Sequence, residues 1–142
     1  MAGGLVAGCL GGSADDGSGT DDGDGRTLAT HPAAADIDAQ PRLGPPPGDA
    51  TATIVAFEDP SCPTCAAFER STVPEIRSQL VEPGEATFVF RGYPVVYAWG
   101  HPATRALEAT FDRNPDAHWA LADHYFGTQS EFRTRGRETV LA

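Results

Sequence analysis

The chain has 142 residues, with 20 acidic side chains against ten basic ones and a formal net charge of −10. An acidic chain without a basic patch excludes a grip on nucleic acid, and no run of 18 apolar residues is present to cross a membrane as a helix. Three cysteines, Cys9, Cys62 and Cys65, offer one local pair, which excludes a scaffold of several disulfides.

All ten basic residues are Arg, and there is no Lys. Acidity of this kind keeps salt-adapted, halophilic proteins soluble when ions screen charge. A GC-rich coding bias with an acidic tail produces the same balance. The first 50 residues hold eight acids and two Arg, and the remainder twelve and eight.

The N-terminal stretch Leu5-Val6-Ala7-Gly8-Cys9 reads as a lipobox, in which Cys9 takes a lipid and becomes the mature N-terminus. A full signal needs a basic region and a longer apolar one. The first basic residue is Arg26, so the start is expected to lie inside a longer signal. The alternative is a Gly-rich, disordered beginning with an incidental cysteine. Residues 13–50 read as an acidic, Gly/Pro-rich disordered tether that cannot bury a core. Its Asp-x-Asp-Gly runs lack the spacing and closing Glu of a calcium loop. Gly44-Pro45-Pro46-Pro47-Gly48 marks the boundary, with the folded domain predicted over 51–142.

That domain is organised around Thr51 to Arg70. Ile54-Val55-Ala56-Phe57 is continuously apolar, as a strand buried on both faces is. Pro60 cannot continue a ladder, because it has no N–H. Pro63 suits the first position of a helix, which places Cys62 at the N-cap and Cys65 one turn in. Free N–H groups and a partial positive charge at a helix start favour a thiolate. The thiolate is the reactive form, so Cys62 is the candidate nucleophile and Cys65 the resolving thiol.

Beyond the dithiol, one helix is predicted from Cys62 to about Leu80, kinked at Pro74, with Cys65, Phe68, Thr72, Ile76 and Leu80 facing the sheet. Pro83-Gly84 ends it, and Ala86 to Arg91 reads as a second strand in a parallel β-α-β unit. Tyr93, Tyr97 and Trp99 in the loop from Gly92 to Gly100 either line a peptide groove or close the core. A helix opens at Pro102. Another opens at Asn114-Pro115, buries Trp119, Ala122 and Phe126, and ends at Gly127; Ser130 starts a short one. His31 lies in the tether, and His101, His118 and His124 are expected on helix surfaces or loops.

The run Phe57-Glu58-Asp59-Pro60-Ser61-Cys62-Pro63-Thr64-Cys65 with Phe68 and Glu69, then Pro74-Glu75, Gly84, and Thr87 to Pro94, resembles the DsbA-like thiol–disulfide oxidoreductases of the thioredoxin-like superfamily. The resemblance covers roughly residues 51–130. It implies an α/β thioredoxin-like fold, a β-α-β half followed by a helical insertion. It further implies a redox-active disulfide Cys62-Cys65 tuned by Pro63 and Thr64, no cofactor, protein thiols or disulfides as substrates, a redox partner, and a place outside the cytoplasm. Many members carry an acid six residues before the first cysteine. Ala56 stands there, so Glu58, Asp59 or water is left to assist proton transfer. Ala142 falls inside the insertion, so the cis-proline loop, two closing strands and a final helix are expected to be missing. Two other readings stay open: a metal-binding dithiol, though four ligands are needed for a structural zinc, and a fragment that is inactive or depends on a partner.

Overall fold

The computed structural model describes residues 27–135. Three strands, Arg42–Leu43 (β1), Ala52–Glu58 (β2) and Ala86–Gly92 (β3), form a sheet in the order β1-β3-β2. The long pair is parallel, with Ile54 opposite Phe88, Ala56 opposite Phe90 and Glu58 opposite Gly92. The apolar run that predicted β2 thus ends level with the end of β3, which brings the turn after Glu58 and the loop after Gly92 to one edge.

Successive residues of a strand face opposite ways. Ile54, Ala56, Phe88 and Phe90 share the face covered by helices. Thr87 and Arg91, on the other face, reach back to the N-terminal segment: Thr87 Oγ1 donates to Pro45 O at 2.9 Å and Arg91 Nη1 to Ala33 O at 2.7 Å. This corrects the tether expectation for the described part of residues 13–50. Arg42 and Leu43 pair antiparallel with Val89 and Phe88, so the sheet begins before the predicted boundary. Gly44 turns the chain at φ +88°, and a Cβ there would meet Ala86 O at 2.8 Å; only glycine suits both demands. Cys9, its proposed lipid and the acidic run of residues 13–26 lie outside the described residues.

Burial on both faces fails at Phe57, which is 52% exposed. Among the described residues β2 is an edge strand, and the Phe57 ring meets that of Tyr93 edge to face, centroids 6.3 Å apart.

The predicted single helix is three consecutive pieces: Pro63–Ser71 (α1), Val73–Ile76 (α2) and a π-helical turn, Arg77–Val81. Pro74 has no N–H to offer the preceding turn, and the break falls at Thr72 just before it. The break and the wide π turn each advance the register. Val73 and Val81 therefore face the core, while Thr72 and Leu80 face outward, against expectation.

The helical layer comprises Gly100–Phe111 (α3), Pro115–Gly127 (α4) and Gln129–Arg135 (α5). Asn114 caps α4, accepting from the Asp116 and Ala117 N–H groups at 3.1 and 3.3 Å, as its type predicts. Phe90, Trp99, Leu107, Ala122, Tyr125, Phe126 and Phe132 pack into one cluster over the sheet; Ala56, Val73, Val81 and Phe88 form a second, and Trp119 touches both. His118, expected on a surface, is 1% exposed. Its Nδ1 lies 3.1 Å from Leu107 O, and the rings of Phe90, Phe111 and Trp119 stand edge-on around it. Burial holds its imidazole below the usual histidine value, against the opposite pull of the Leu107 carbonyl.

Candidate functional site

The site is assembled at the turn between β2 and α1. Asp59, Pro60 and Ser61 are buried there. The turn closes with Cys62 N donating to Asp59 O at 2.9 Å. The Asp59 carboxylate then acts as a hub. Oδ1 accepts from Ser61 N (2.8 Å) and Ser61 Oγ (2.7 Å), and Oδ2 accepts from Val95 N (2.9 Å) and Val96 N (2.7 Å). Ser61 Oγ accepts in turn from Tyr97 N at 3.0 Å. The loop after β3 is thereby fastened to the turn that leads into the cysteines. Gly100 is needed for this approach, since a Cβ there would come within 2.6 Å of Asp59 Oδ1 and 2.8 Å of Ser61 Oγ.

Cys62 occupies the N-cap of α1 in extended conformation, with Pro63 following at the first helical position. Cys65 lies one turn in. Both are free, half-buried thiols within hydrogen-bonding reach of each other. Burial alone raises the Cys62 thiol. The Thr64 hydroxyl, 3.0 Å from Sγ, the backbone N–H groups of Cys65 and Thr64, and the Cys65 side chain outweigh it and hold Cys62 below the ordinary cysteine value. Thr64 carries no charge, yet its hydroxyl supports the thiolate.

Cys65 is tuned the opposite way. Burial pushes it up to about 12, against the Asp59 N–H and together with Cys62 and the charge and hydrogen bond of Glu58. Glu58 itself is 3% exposed. Burial pushes its carboxyl up to about 7, moderated by the hydrogen bond with Cys65. Among the described residues its Oε2 has no hydrogen-bond partner. Of the two acids offered by the sequence, Glu58 is the one at the thiol, whereas the Asp59 carboxylate is committed to the loop. Ala56, Glu58, Thr64, Cys65 and Phe68 line a shallow depression of about 310 Å³.

Two further residues at the site were not among the candidate site residues. Glu69, one helical turn beyond Cys65, is pushed up to about 7, first by burial and then by the charges of Glu58 and Asp123, against Arg77; its i+4 spacing from Cys65 was the available signal. Gln129 donates from Nε2 to Pro60 O at 2.8 Å and to Cys62 O at 2.9 Å. No local pattern signals a contact across more than 60 residues. The loop aromatics divide between the two alternatives: Trp99 is core, and Tyr93 and Tyr97 are exposed. Among the described residues, no group of three His, Cys, Asp or Glu side chains is placed to hold a metal ion.

Residues 39–141 match the thioredoxin family model. The chain is 30% identical over 95 residues to disulfide bond formation protein D of Bacillus subtilis (strain 168), covering 67% of this chain and 42% of that relative. The crystal structure of oxidised BdbD from Bacillus subtilis superposes with a TM-score of 0.60 at 28% identity, over 66% of this chain and 49% of that one. DsbA from Chlamydia trachomatis gives a TM-score of 0.54 at 25% identity, over 61% and 46%. The chain spans less than half the length of each of these proteins. It belongs to the thioredoxin family, and its relatives are DsbA-type disulfide bond formation proteins.

Proposed function

We propose that the chain carries the dithiol centre of a thiol–disulfide oxidoreductase that exchanges disulfides with protein substrates. The observation that supports this most is the opposed tuning of two adjacent thiols: Cys62 is half-buried and held low at a helix start, and Cys65 is held high beside a buried carboxyl group. In the reducing direction the Cys62 thiolate attacks a substrate disulfide, forming a mixed disulfide and releasing one substrate thiolate. The Cys65 thiol passes its proton to Glu58 and attacks Cys62 Sγ. The Cys62-Cys65 disulfide forms, the second substrate sulfur leaves, and two electrons have moved to the substrate. The reverse sequence oxidises a substrate dithiol, and a redox partner resets the pair. Electrons pass between sulfurs, so the reaction uses no cofactor.

Asp59 serves this reading by aiming its N–H at Cys65 and fixing the turn. Pro63 starts the helix, and Thr64 stabilises the thiolate. The placement that goes with the reading is outside the cytoplasm, with Cys9 as the lipid-bearing anchor. The test is trapping. Reduced Cys65→Ser should accumulate a mixed disulfide with a disulfide-bearing protein, and reduced Cys62→Ser should not. Equal trapping by the two variants overturns the assignment.

A further inference from the structure

The carbonyls around the dithiol turn are held from a distant part of the chain. Gln129, half-buried at the first position of α5, spends its side-chain amide on Pro60 O (2.8 Å) and Cys62 O (2.9 Å). Cys62 O also accepts the opening helical bond from Ala66 N at 3.1 Å. Pro60 is fully buried and has no N–H of its own. The donor stands on a firm platform. Phe132 of the same helix stacks on Trp99 with ring centroids 5.1 Å apart, and the Arg133 guanidinium lies 5.4 Å over the Tyr97 ring.

We propose that Gln129 is a positioning residue of the dithiol: from the head of α5 its amide ties the carbonyls of Pro60 and Cys62 together and so fixes the turn that presents Cys62 Sγ. The inference rests on the oxidoreductase reading of Cys62. Two carbonyl oxygens drawn to one point repel each other, and they belong to the residue whose sulfur must become an anion and to the residue two before it. The amide hydrogens neutralise them. Removing the amide exposes those dipoles and frees the turn, and both effects disfavour the thiolate. A cation at the same place reverses the sign.

The experiment is the pH profile of Cys62 alkylation in the full reduced chain, followed by mass spectrometry of the Cys62 peptide. Gln129→Leu should move the profile up by about half a pH unit, which is about threefold slower alkylation near pH 7. Gln129→Lys should move it down. Variant profiles that superpose on a perturbed wild type, with only the melting temperature changed, overturn the inference alone. A wild-type Cys62 that titrates as an ordinary thiol overturns the oxidoreductase reading and the inference with it. Should Gln129→Leu fail to fold, the sign of the Gln129→Lys shift decides.

Discussion

Glu58 lies against Cys65, its carboxyl group hydrogen-bonded to the thiol, at the end of the face of β2 that Ala56 also occupies. Strand residues two apart point the same way. An acid moved two residues toward the cysteines from the position of Ala56 therefore remains on the side of the sheet that the dithiol helix covers.

The pH dependence of stability follows from that burial. Glu58 is raised to about 7 in the folded chain. The fold binds its proton more tightly than the unfolded chain does, so the reduced protein is most stable below about pH 4.5 with respect to this group and loses stability as pH rises through 7. Glu58→Gln should recover roughly 1–3 kcal/mol at pH 8 and flatten the slope between pH 5 and 8 in denaturant titrations. The slope should not vanish, because Glu69 is raised in the same direction. A variant with the wild-type slope contradicts this account of Glu58.

Asp59 predicts a different phenotype from its neighbour. Its carboxylate satisfies four donors at the turn and loop. Asp59→Ala leaves buried donors without a partner and should cost roughly 2–4 kcal/mol. Chemical denaturation at neutral pH measures it, and a loss below that of Ser61→Ala would argue against the hub.

Gly100→Ala attacks the same joint from the helix side. The added methyl meets Asp59 Oδ1 and Ser61 Oγ below van der Waals distance. The turn must then shift, at roughly 1–3 kcal/mol. Gly127→Ala, where a Cβ meets nothing within 4 Å, is the control and should be near neutral.

Thr64→Val removes the hydroxyl 3.0 Å from Cys62 Sγ. Alkylation of Cys62 at neutral pH should slow by roughly threefold or more, with Cys65 unchanged. An unaltered Cys62 rate would assign its acidity to the backbone N–H groups of the helix start and the Cys65 side chain.

Much of this was legible in the chain itself, wherever local chemistry decided the outcome. Ile54 to Phe57 signalled a strand, Pro60 its end and Pro63 a helix start, and together they placed Cys62 at the N-cap. Asn114-Pro115 did the same for α4. What was not legible depended on distant partners. Arg42 and Leu43 sit in a Pro/Gly-rich stretch and become a strand only because β3 offers them an edge. Phe57 reads as core by composition, but β2 is an edge strand among the described residues. His118 is polar by type and buried by the three rings around it. Glu58 and Asp59 are adjacent acids with no local feature to separate them; alternation along the strand sends one to the thiol and the turn sends the other to the loop.

The most direct measurement is the redox equilibrium of Cys62 and Cys65 in the full chain, poised in glutathione buffers and read by trapping free thiols at each residue. The account predicts one two-electron transition shared by both cysteines, at a potential above that of thioredoxin, about −270 mV, because a stabilised Cys62 thiolate favours the reduced form. Two thiols that alkylate independently, with no common transition, would contradict it.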